Sequence, residues 1–243
     1  MHNGEFNDKI ACVVGGTSGI GQAVAEALSA LGAKVSVTGA TKEEAERFAA
    51  QTTAAIEDTS VLNVMEADAV ARYGRRHGKL DVLVNTVGIG FAHKELEEAY
   101  MVDCINVNLV GVGRVCVAMY PALKAAGGSI VNIASMTSFF GSVSNPAYSA
   151  AKGGVVQLTK SLACLWGKDG IRVNAVAPGY IRTRMTERKY QDAEEATKIL
   201  GRTPLGRWGE PADVVGPILF LNSSAARFVT GAVLPVDGGF LVA

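Results

Sequence analysis

Short apolar runs recur along the chain, each followed by glycine or polar residues and then by a segment whose apolar positions have helical spacing. The runs are IACVV (10–14), KVSVT (34–38), SVL (60–62), LDVLV (80–84), SIVNIA (129–134), IRVNAVA (171–177) and AVLPV (232–236). Consecutive apolar positions suit strands covered on both faces, whereas a half-solvated sheet shows polar residues at every second position. The pattern predicts an α/β fold, a doubly wound parallel sheet of about seven strands with helices on both faces.

The chain shows no internal boundary. No linker rich in proline or serine, no repeat and no low-complexity tract divides it, so the sequence predicts one domain over residues 1–243. One charged stretch, residues 183–211, interrupts the alternation of strands and helices. A long charged connection of this kind is typical of a mobile lid, and we expect it to cover a substrate.

Composition and charge narrow the classes of function. Lys plus Arg (23) equals Asp plus Glu (23), so the net charge indicates neither nucleic acid nor an acidic membrane surface as a partner. The N-terminal stretch has no basic start followed by a long apolar run, and no uninterrupted apolar stretch reaches the ~18 residues of a membrane span. The sequence predicts a soluble cytoplasmic protein with no membrane partner.

The cysteines lie within apolar runs and form no CxxC pair; they are Cys12, Cys104, Cys116 and Cys164. No histidine lies near them in the sequence, so the spacing suits neither a metal site nor a disulfide framework. We expect buried free thiols and no metal.

A glycine-rich loop, GGTSGIG, directly follows the first predicted strand and opens an amphipathic helix. At Gly15, Gly19 and Gly21 the missing side chains allow a tight turn and close approach of the backbone to a pyrophosphate at the helix N-terminus. An ordinary strand-to-helix turn is the alternative, but the position after the first strand favours a dinucleotide site.

Three more loops follow predicted strands at the same edge of the sheet, where open α/β folds bind ligands. NTVG (85–88) offers small residues against which a cofactor can lie, and Ser135 offers a hydroxyl to a substrate oxygen. In PGYIRT, Pro178 and Gly179 turn the chain and Thr183 can donate to a cofactor amide or phosphate. Each loop alone could be a simple turn.

Tyr148 and Lys152 lie four residues apart in NPAYSAAKGG. Asn145 is a good N-cap and Pro146 fits the first helical position, so we expect a helix to start here. Positions i and i+4 share a helix face, which lets the tyrosine hydroxyl and the ammonium face one cavity. We expect the ammonium to lower the pKa of Tyr148 from its ordinary value near ~10 and so make it a usable acid.

These motifs, taken in order, resemble the short-chain dehydrogenase/reductase (SDR) superfamily: GGTSGIG, NTVG, NVNLVG, a serine thirteen residues before YSAAK, and PGYIRT. The resemblance extends from Lys9 to Phe240. It implies a Rossmann-type fold in which Tyr148 is the general acid/base and Lys152 lowers its pKa and holds the nicotinamide ribose. It also implies that Ser135 orients the substrate oxygen and that Asn108 of NVNLVG holds a proton-relay water.

The sequence departs from the family pattern at three positions. Val14 replaces a threonine before the glycine loop, Val87 replaces the alanine of Asn-Asn-Ala-Gly, and Asn63 replaces an aspartate that would bind the adenine. The first two do not touch the chemistry, and Asn63 can still supply an amide to the adenine. The predicted cofactor contacts are Gly15, Thr17, Ser18, Gly19, Ile20, Gly21, Gly39, Ala40, Thr41, Asn63, Val64, Asn85, Val87, Gly88, Tyr148, Lys152, Pro178, Gly179, Ile181 and Thr183.

The end of the second strand decides between the two nicotinamide cofactors. It reads VTGATKEE, with Gly39 where an acid would bind NAD and Ala40 where an arginine often binds NADP. Without the carboxylate a phosphate meets no repulsion, and Thr41 and Lys42 could contact it. Ser18 stands where many NADP enzymes of the family carry an arginine, so the sequence favours NADP(H) over NAD(H) only weakly.

The resemblance predicts hydride transfer between the nicotinamide and a carbonyl or secondary alcohol substrate. A 3-oxoacyl thioester and a small ketone, sugar or polyol are both open as substrates, and the resemblance implies a homotetramer. A non-catalytic protein that senses dinucleotides is the alternative, although a sensor needs no complete catalytic set. The expected substrate-side residues are the loop GIGFAHKE after Gly88, with Met136, Phe139, Phe140, Asn145 and Tyr180, and with His93, Arg182 and Arg184 for an anionic substrate.

Overall fold

Seven strands alternate with helices along the computed structural model, which describes residues 4–243. The strands are β1 (Ile10–Val14), β2 (Lys34–Gly39), β3 (Ile56–Val61), β4 (Val82–Asn85), β5 (Ser129–Ile133), β6 (Arg172–Pro178) and β7 (Val233–Val236). All pair in parallel in one sheet of order β3-β2-β1-β4-β5-β6-β7. The predicted doubly wound parallel sheet is confirmed.

Nine α-helices accompany these strands in the described part of the chain. They are α1 (Gly19–Ala30), α2 (Lys42–Gln51), α3 (Ala67–Gly74), α4 (Glu98–Ile105), α5 (Val112–Ala126), α6 (Pro146–Trp166), α7 (Glu187–Gln191), α8 (Ala193–Gly201) and α9 (Pro211–Asn222). Helices α3 and α5 pack together over one face of the sheet, and α1 and α9 pack together over the other. Both faces are covered, which explains why the central strands are apolar at consecutive positions.

Strand β3 begins earlier than its apolar run predicted. The run SVL suggested a start at residue 60, whereas the strand spans Ile56–Val61. This strand lies at the edge of the sheet, and its residues IEDTSV are half-buried or exposed. A search for consecutive apolar residues therefore misses its polar first half.

Helices α4 and α5 join through a π-helical turn, Asn106–Gly111, into one apolar helical run, Glu98–Ala126. By length and composition alone this run could cross a membrane, but a core helix passes the same test. In the fold it packs on α3 and α6 and contributes Val112, Val115 and Met119 to the core.

The cysteine prediction is correct for three residues and wrong for the fourth. Cys12, Cys104 and Cys116 are buried free thiols, and burial raises the pKa of each thiol above its ordinary value. Cys164 is exposed on α6. Of its apolar neighbours in sequence, Leu162, Ala163 and Trp166 are buried, whereas Leu165 is exposed with the cysteine on the outer face of the helix.

Candidate active site

A crevice of about 720 Å³ opens at the carboxyl ends of the strands. The loops after strands β1 to β6 and the start of α6 line it. The loop after β2 closes one end. Of the twenty-two residues that the sequence suggested for catalysis and cofactor binding, twenty line the crevice, and Asn85 and Asn108 do not. The crevice is also lined by Val14, Glu44, Leu62, Met65, Thr86, Ile89, Gly90, Phe91, Val107, Ile133, Ala134, Arg184, Met185 and Thr186.

The glycine loop is shaped for a close backbone approach. Gly15 has a φ of +80°, which favours glycine, and a Cβ on Gly21 would lie 2.5 Å from the Gly15 carbonyl oxygen. Helix α1 follows, and its N-cap residue Ser18 makes no side-chain capping bond. The first N–H groups of α1 are thus left for a ligand, which fits the pyrophosphate of a dinucleotide.

Lys152 is buried, 1% exposed, one turn after Tyr148 on α6. Its ammonium donates to the carbonyl oxygens of Ile133 (2.8 Å) and Val87 (3.2 Å). Burial lowers the pKa of Lys152 to about 8. An ammonium has three donors, so two fix it between β5 and the loop after β4 and one remains for a ligand in the crevice.

Tyr148 lies in the first turn of α6 and lines the crevice beside Ser135. Burial raises the pKa of the Tyr148 hydroxyl to about 12, and its hydrogen bond with Ser135 opposes that rise. The expected lowering of this pKa is not seen in the protein without ligand, because desolvation of the hydroxyl is the largest influence and raises the pKa. Tyr148 is held here as the protonated acid.

Asn108 does not line the crevice, and its side chain is fully buried within the π-helical turn. Its amide nitrogen donates to the carbonyl oxygens of Ile89 and Cys104, both at 2.8 Å, and its amide oxygen accepts the Ile89 N–H at 3.1 Å. Asn108 thus fixes the loop after β4 from behind. A Cβ on Gly88 would lie 3.2 Å from the Asn108 amide oxygen and 3.6 Å from the Lys152 nitrogen. Gly88 therefore packs directly against both side chains.

Asn85 also lies outside the crevice, contrary to its place among the predicted contacts. Its amide donates to the Asn132 side chain (2.8 Å) inside the core. The neighbouring Thr86 lines the crevice instead, and its hydroxyl donates to the Val14 carbonyl at 2.9 Å. Side chains alternate along a strand, so a shift of one residue exchanges the core face for the ligand face.

Asn145 occupies the N-cap position of α6, as predicted, but its side chain does not cap the helix. The carboxylate of Glu95 does so instead and accepts the N–H of Tyr148 at 2.9 Å. No signal in the sequence near α6 indicates this, because Glu95 lies in a separate short helix, Ala92–Leu96.

A carboxylate lies at the end of β2 even though Gly39 and Ala40 offer none. Glu44 on α2 folds back, and its carboxylate accepts the Ala40 N–H (3.0 Å) and pairs with Arg184 (3.1 Å). A Cβ on Gly39 would lie 3.2 Å from the Glu44 Cβ, so the glutamate fills the space beside the glycine. The expectation of no carboxylate at this position is wrong. The clue was Glu44 itself, three residues after the N-cap Thr41, where a capping-box acid reaches back.

Part of the expected substrate side lines the crevice: Gly88, Ile89, Gly90 and Phe91 of the loop after β4, together with Arg184. Met136, Phe139, Phe140, Asn145 and Tyr180 do not line it. Aromatic rings of Phe140, Tyr180, Tyr190, Trp208 and Phe240 pack beside it in one cluster. Met136 is buried, Phe139 is exposed, and the Asn145 amide faces Glu95. Of the three expected cations, only Arg184 lines the crevice, at its Glu44 end; Arg182 pairs with Glu210 on the surface, and His93 is exposed.

Comparison with known proteins identifies the family. Residues 14–241 match a family model described as "Enoyl-(Acyl carrier protein) reductase". The 2-dehydro-3-deoxy-D-gluconate 5-dehydrogenase of Dickeya dadantii is 38% identical over 245 residues, covering 96% of this chain and 95% of that protein. The chain belongs to the short-chain dehydrogenase/reductase superfamily.

Two further members extend the comparison. The galactitol 2-dehydrogenase (L-tagatose-forming) of Cereibacter sphaeroides is 38% identical, with 96% of this chain and 94% of that protein covered. The crystal structure of a gluconate 5-dehydrogenase from Burkholderia cenocepacia, in complex with NADP and tartrate, superposes with a TM-score of 0.88 at 34% identity. That superposition covers 98% of both chains. The SDR fold therefore extends over the whole described chain.

Proposed function

We propose that this SDR protein transfers a hydride between a nicotinamide cofactor and a carbonyl or secondary alcohol substrate, with Tyr148 as general acid/base. One observation carries the proposal: Tyr148, Ser135 and Lys152 meet in the same crevice as an uncapped, glycine-lined helix N-terminus. A dinucleotide held at that N-terminus extends toward the tyrosine, and the nicotinamide supplies or accepts the hydride when bound.

Each polar group then has a separate role in moving the proton. Ser135 orients the substrate oxygen beside the Tyr148 hydroxyl, and the tyrosine, which is protonated, donates to that oxygen when a carbonyl is reduced. In alcohol oxidation the tyrosine takes the proton back. The remaining donor of Lys152 holds a ribose hydroxyl, and Asn108 keeps the loop between them in place.

For the cofactor we propose NADP(H). Arg184 brings a guanidinium to the end of β2, where a 2′-phosphate would lie, and the Burkholderia relative is a complex with NADP. The Glu44 carboxylate at the same place would repel a phosphate. The preference for NADP(H) therefore requires that Arg184 leave its ion pair with Glu44 and bind the 2′-phosphate instead.

For the substrate we propose a small neutral sugar or polyol and its ketone. The cations that line the crevice, within the described residues, are Lys152 and Arg184, and both are assigned to the cofactor. A sugar acid would need a further cation near Tyr148, whereas hydroxyl groups need only Ser135 and main-chain groups. A 3-oxoacyl thioester is the second candidate, favoured by the apolar side chains of Ile89, Phe91 and Met185 in the crevice.

We further propose that residues 183–211 act as the substrate lid and that the protein is a cytoplasmic homotetramer. Arg184, Met185 and Thr186 line the crevice, while α7, which follows them, has no buried residue. Exposed apolar side chains at Val117 and Leu165, on α5 and α6, suit a contact with a second copy. Light scattering after gel filtration gives the number of subunits.

A fluorescence titration with NADH and NADPH in parallel tests the proposal first. Saturable micromolar binding of either supports the dinucleotide site, and tighter binding of NADPH supports the cofactor assignment. Galactitol, D-gluconate, acetoacetyl-coenzyme A and simple ketones then form a turnover panel at 340 nm. Binding without turnover of any of them would favour the sensing alternative, and binding of neither cofactor would contradict the whole proposal.

A further inference from the structure

Glu95 is a fully buried carboxylate, 0% exposed, with no cationic side chain among its hydrogen-bond partners. One oxygen accepts the N–H of Phe91 (3.1 Å) and the amide of Asn145 (3.3 Å); the other accepts the N–H of Tyr148 (2.9 Å). The Cys104 thiol lies 3.8 Å from the first oxygen. All four neighbours are donors, which suits an acceptor-only carboxylate.

The contact with Tyr148 meets a specific need of α6. The first N–H groups of a helix have no partner within the helix, and the N-cap side chain normally accepts one of them. Asn145 makes no such bond here and donates its amide to Glu95 instead. The carboxylate replaces the missing cap, and the positive end of the helix stabilises its charge.

Glu95 also contacts two other segments near Tyr148: helix α4 and the loop after β4. The Cys104 sulfur accepts from the Asn108 amide at 3.3 Å, so the contacts continue from Glu95 through α4 to the π-helical turn. Through Phe91 the carboxylate holds the loop after β4, and a Cβ on Gly90 would lie 3.8 Å from it. One buried group thus links the loop, α4 and the start of α6.

We propose that Glu95 is a positioning residue for the reaction: it fixes the first turn of α6 and thereby the place of the Tyr148 hydroxyl relative to Ser135. The inference rests on the proposed role of Tyr148 as acid/base. Glu95 itself does not line the crevice, so it touches neither cofactor nor substrate. A tyrosine on a frayed first turn would keep its chemistry but lose its alignment, and misplacement by about 1 Å can cost about 100-fold in rate.

Glu95→Gln tests this with little change of shape. The amide can still accept from Tyr148, but it turns a donor toward the donors of Phe91 and Asn145. The matched control is Glu97→Gln, two residues away and exposed. We expect kcat of Glu95→Gln to fall about 10- to 100-fold, while the Kd for NADPH and NADH stays within about twofold because the glycine loop is untouched. Glu97→Gln should match the wild type in both.

Two kinetic outcomes would overturn the inference. One is a kcat of Glu95→Gln within twofold of the wild type. The other is a loss of dinucleotide affinity as large as the loss of kcat, which would show a general structural role instead of a positioning one. Circular dichroism and the melting temperature establish that the variant is folded in either case.

Hydrogen exchange on the wild-type protein tests the contact independently of folding of any variant and of turnover. Ala147 and Tyr148 lie at the second and third positions of α6, where amides lack helical partners. Because Glu95 accepts from Tyr148, the Tyr148 amide should exchange at least about tenfold more slowly than that of Ala147. Equal exchange rates at the two amides would show that Glu95 does not hold the Tyr148 N–H in solution, and the inference would be wrong. Slow exchange in a protein that turns over no substrate would leave the contact standing and contradict the proposed function instead.

Discussion

The floor of the crevice and the segment across its mouth are held by different kinds of contact. On the floor, Ser135 and Lys152 are 7% and 1% exposed, and Asn108, directly behind the floor, is 0% exposed. Main-chain groups bond the asparagine and the lysine. At the mouth, Arg184 meets Glu44 in an ion pair whose arginine is 72% exposed. Buried groups lose their partners only at high cost, whereas an exposed pair exchanges with water or ligand at little cost. The floor therefore suits fixed chemistry and the mouth suits selectivity.

Removing the Tyr148 hydroxyl should give the largest effect. In Tyr148→Phe the ring still fills its place in α6, so the Kd for NADPH and NADH should stay within about threefold, but no proton can pass to the substrate oxygen. We expect kcat to fall by about three orders of magnitude, within the range that one acid/base group contributes. Single-turnover kinetics with the best alcohol of the panel measure it. Turnover above a few per cent would remove Tyr148 from this role.

Gly21→Ala should destabilise the glycine loop, which lines the cofactor end of the crevice. The new Cβ would lie 2.5 Å from both the Gly15 carbonyl oxygen and the Thr86 hydroxyl, where backbone and a bonded side chain leave no room. We expect a loss of about 2–3 kcal/mol in unfolding free energy, typical of an overpacked site. Urea denaturation measures the loss.

Gly201→Ala is the control for Gly21→Ala, because a Cβ on Gly201 would meet nothing within 4 Å. Its unfolding free energy should stay within about 0.5 kcal/mol of the wild type, as for most surface changes. Equal effects of the two substitutions would show that the close packing at Gly21 is not what stabilises the loop.

The same contrast explains how far the sequence could be read. The alternation of strands and helices, the glycine loop and the pairing of Tyr148 with Lys152 follow from periodicity and spacing, which are local. The structure confirms the fold and places both residues in the crevice. The orientation of Asn85 could not be read, because a strand buried on both faces carries no alternation to show which face a side chain takes.

Long-range contacts were beyond the sequence altogether. Glu95 caps a helix that begins 51 residues later, and Arg184 reaches Glu44 across 140 positions. A charged residue in a segment without regular periodicity is read as solvated surface, and only the fold shows that Glu95 is buried. For Glu44 the sequence offered the capping position, but not the contact with Arg184. The pKa of Tyr148 was misjudged for the same reason, since burial depends on packing and not on spacing.

Lys152→Met should show how much the buried ammonium lowers the free energy of unfolding. Burial lowers the pKa of Lys152 to about 8, so at pH 7 the folded protein still holds a charge in an apolar place. Methionine removes that charge but leaves the carbonyls of Val87 and Ile133 without their donor. We expect a net gain of about 1–2 kcal/mol in unfolding free energy at pH 7, together with loss of turnover.

The pH dependence gives the sign of this effect. Between about pH 8 and the unfolded value of 10.5 the unfolded chain binds more protons at Lys152 than the folded one, so wild-type stability rises with pH. Lys152→Met lacks that rise, and its advantage should shrink from pH 8 toward pH 10. Tyr148, with a pKa of about 12, stays protonated in the folded protein up to pH 10, and loss of the nearby ammonium would only raise that pKa, so its contribution is the same in both proteins. An advantage that is independent of pH would contradict the assignment.

Substitutions at the mouth should have the smallest effects and should act on selectivity alone. Arg184→Gln removes the guanidinium proposed for the 2′-phosphate, and Glu44→Gln removes the carboxylate that competes for it. We expect the ratio of NADPH to NADH affinity to fall about three- to tenfold in the first and to rise by a similar factor in the second, since an exposed pair contributes about 1 kcal/mol or less.

Arg182→Gln, whose arginine pairs with Glu210 on the surface, is the control and should leave the ratio unchanged. Titration at two salt concentrations adds a check, because the selectivity should weaken as salt screens the pair. If Arg184→Gln and Glu44→Gln each changed the affinities for NADPH and NADH by the same factor, the ion pair would hold residues 183–211 in place and would not discriminate between the two cofactors.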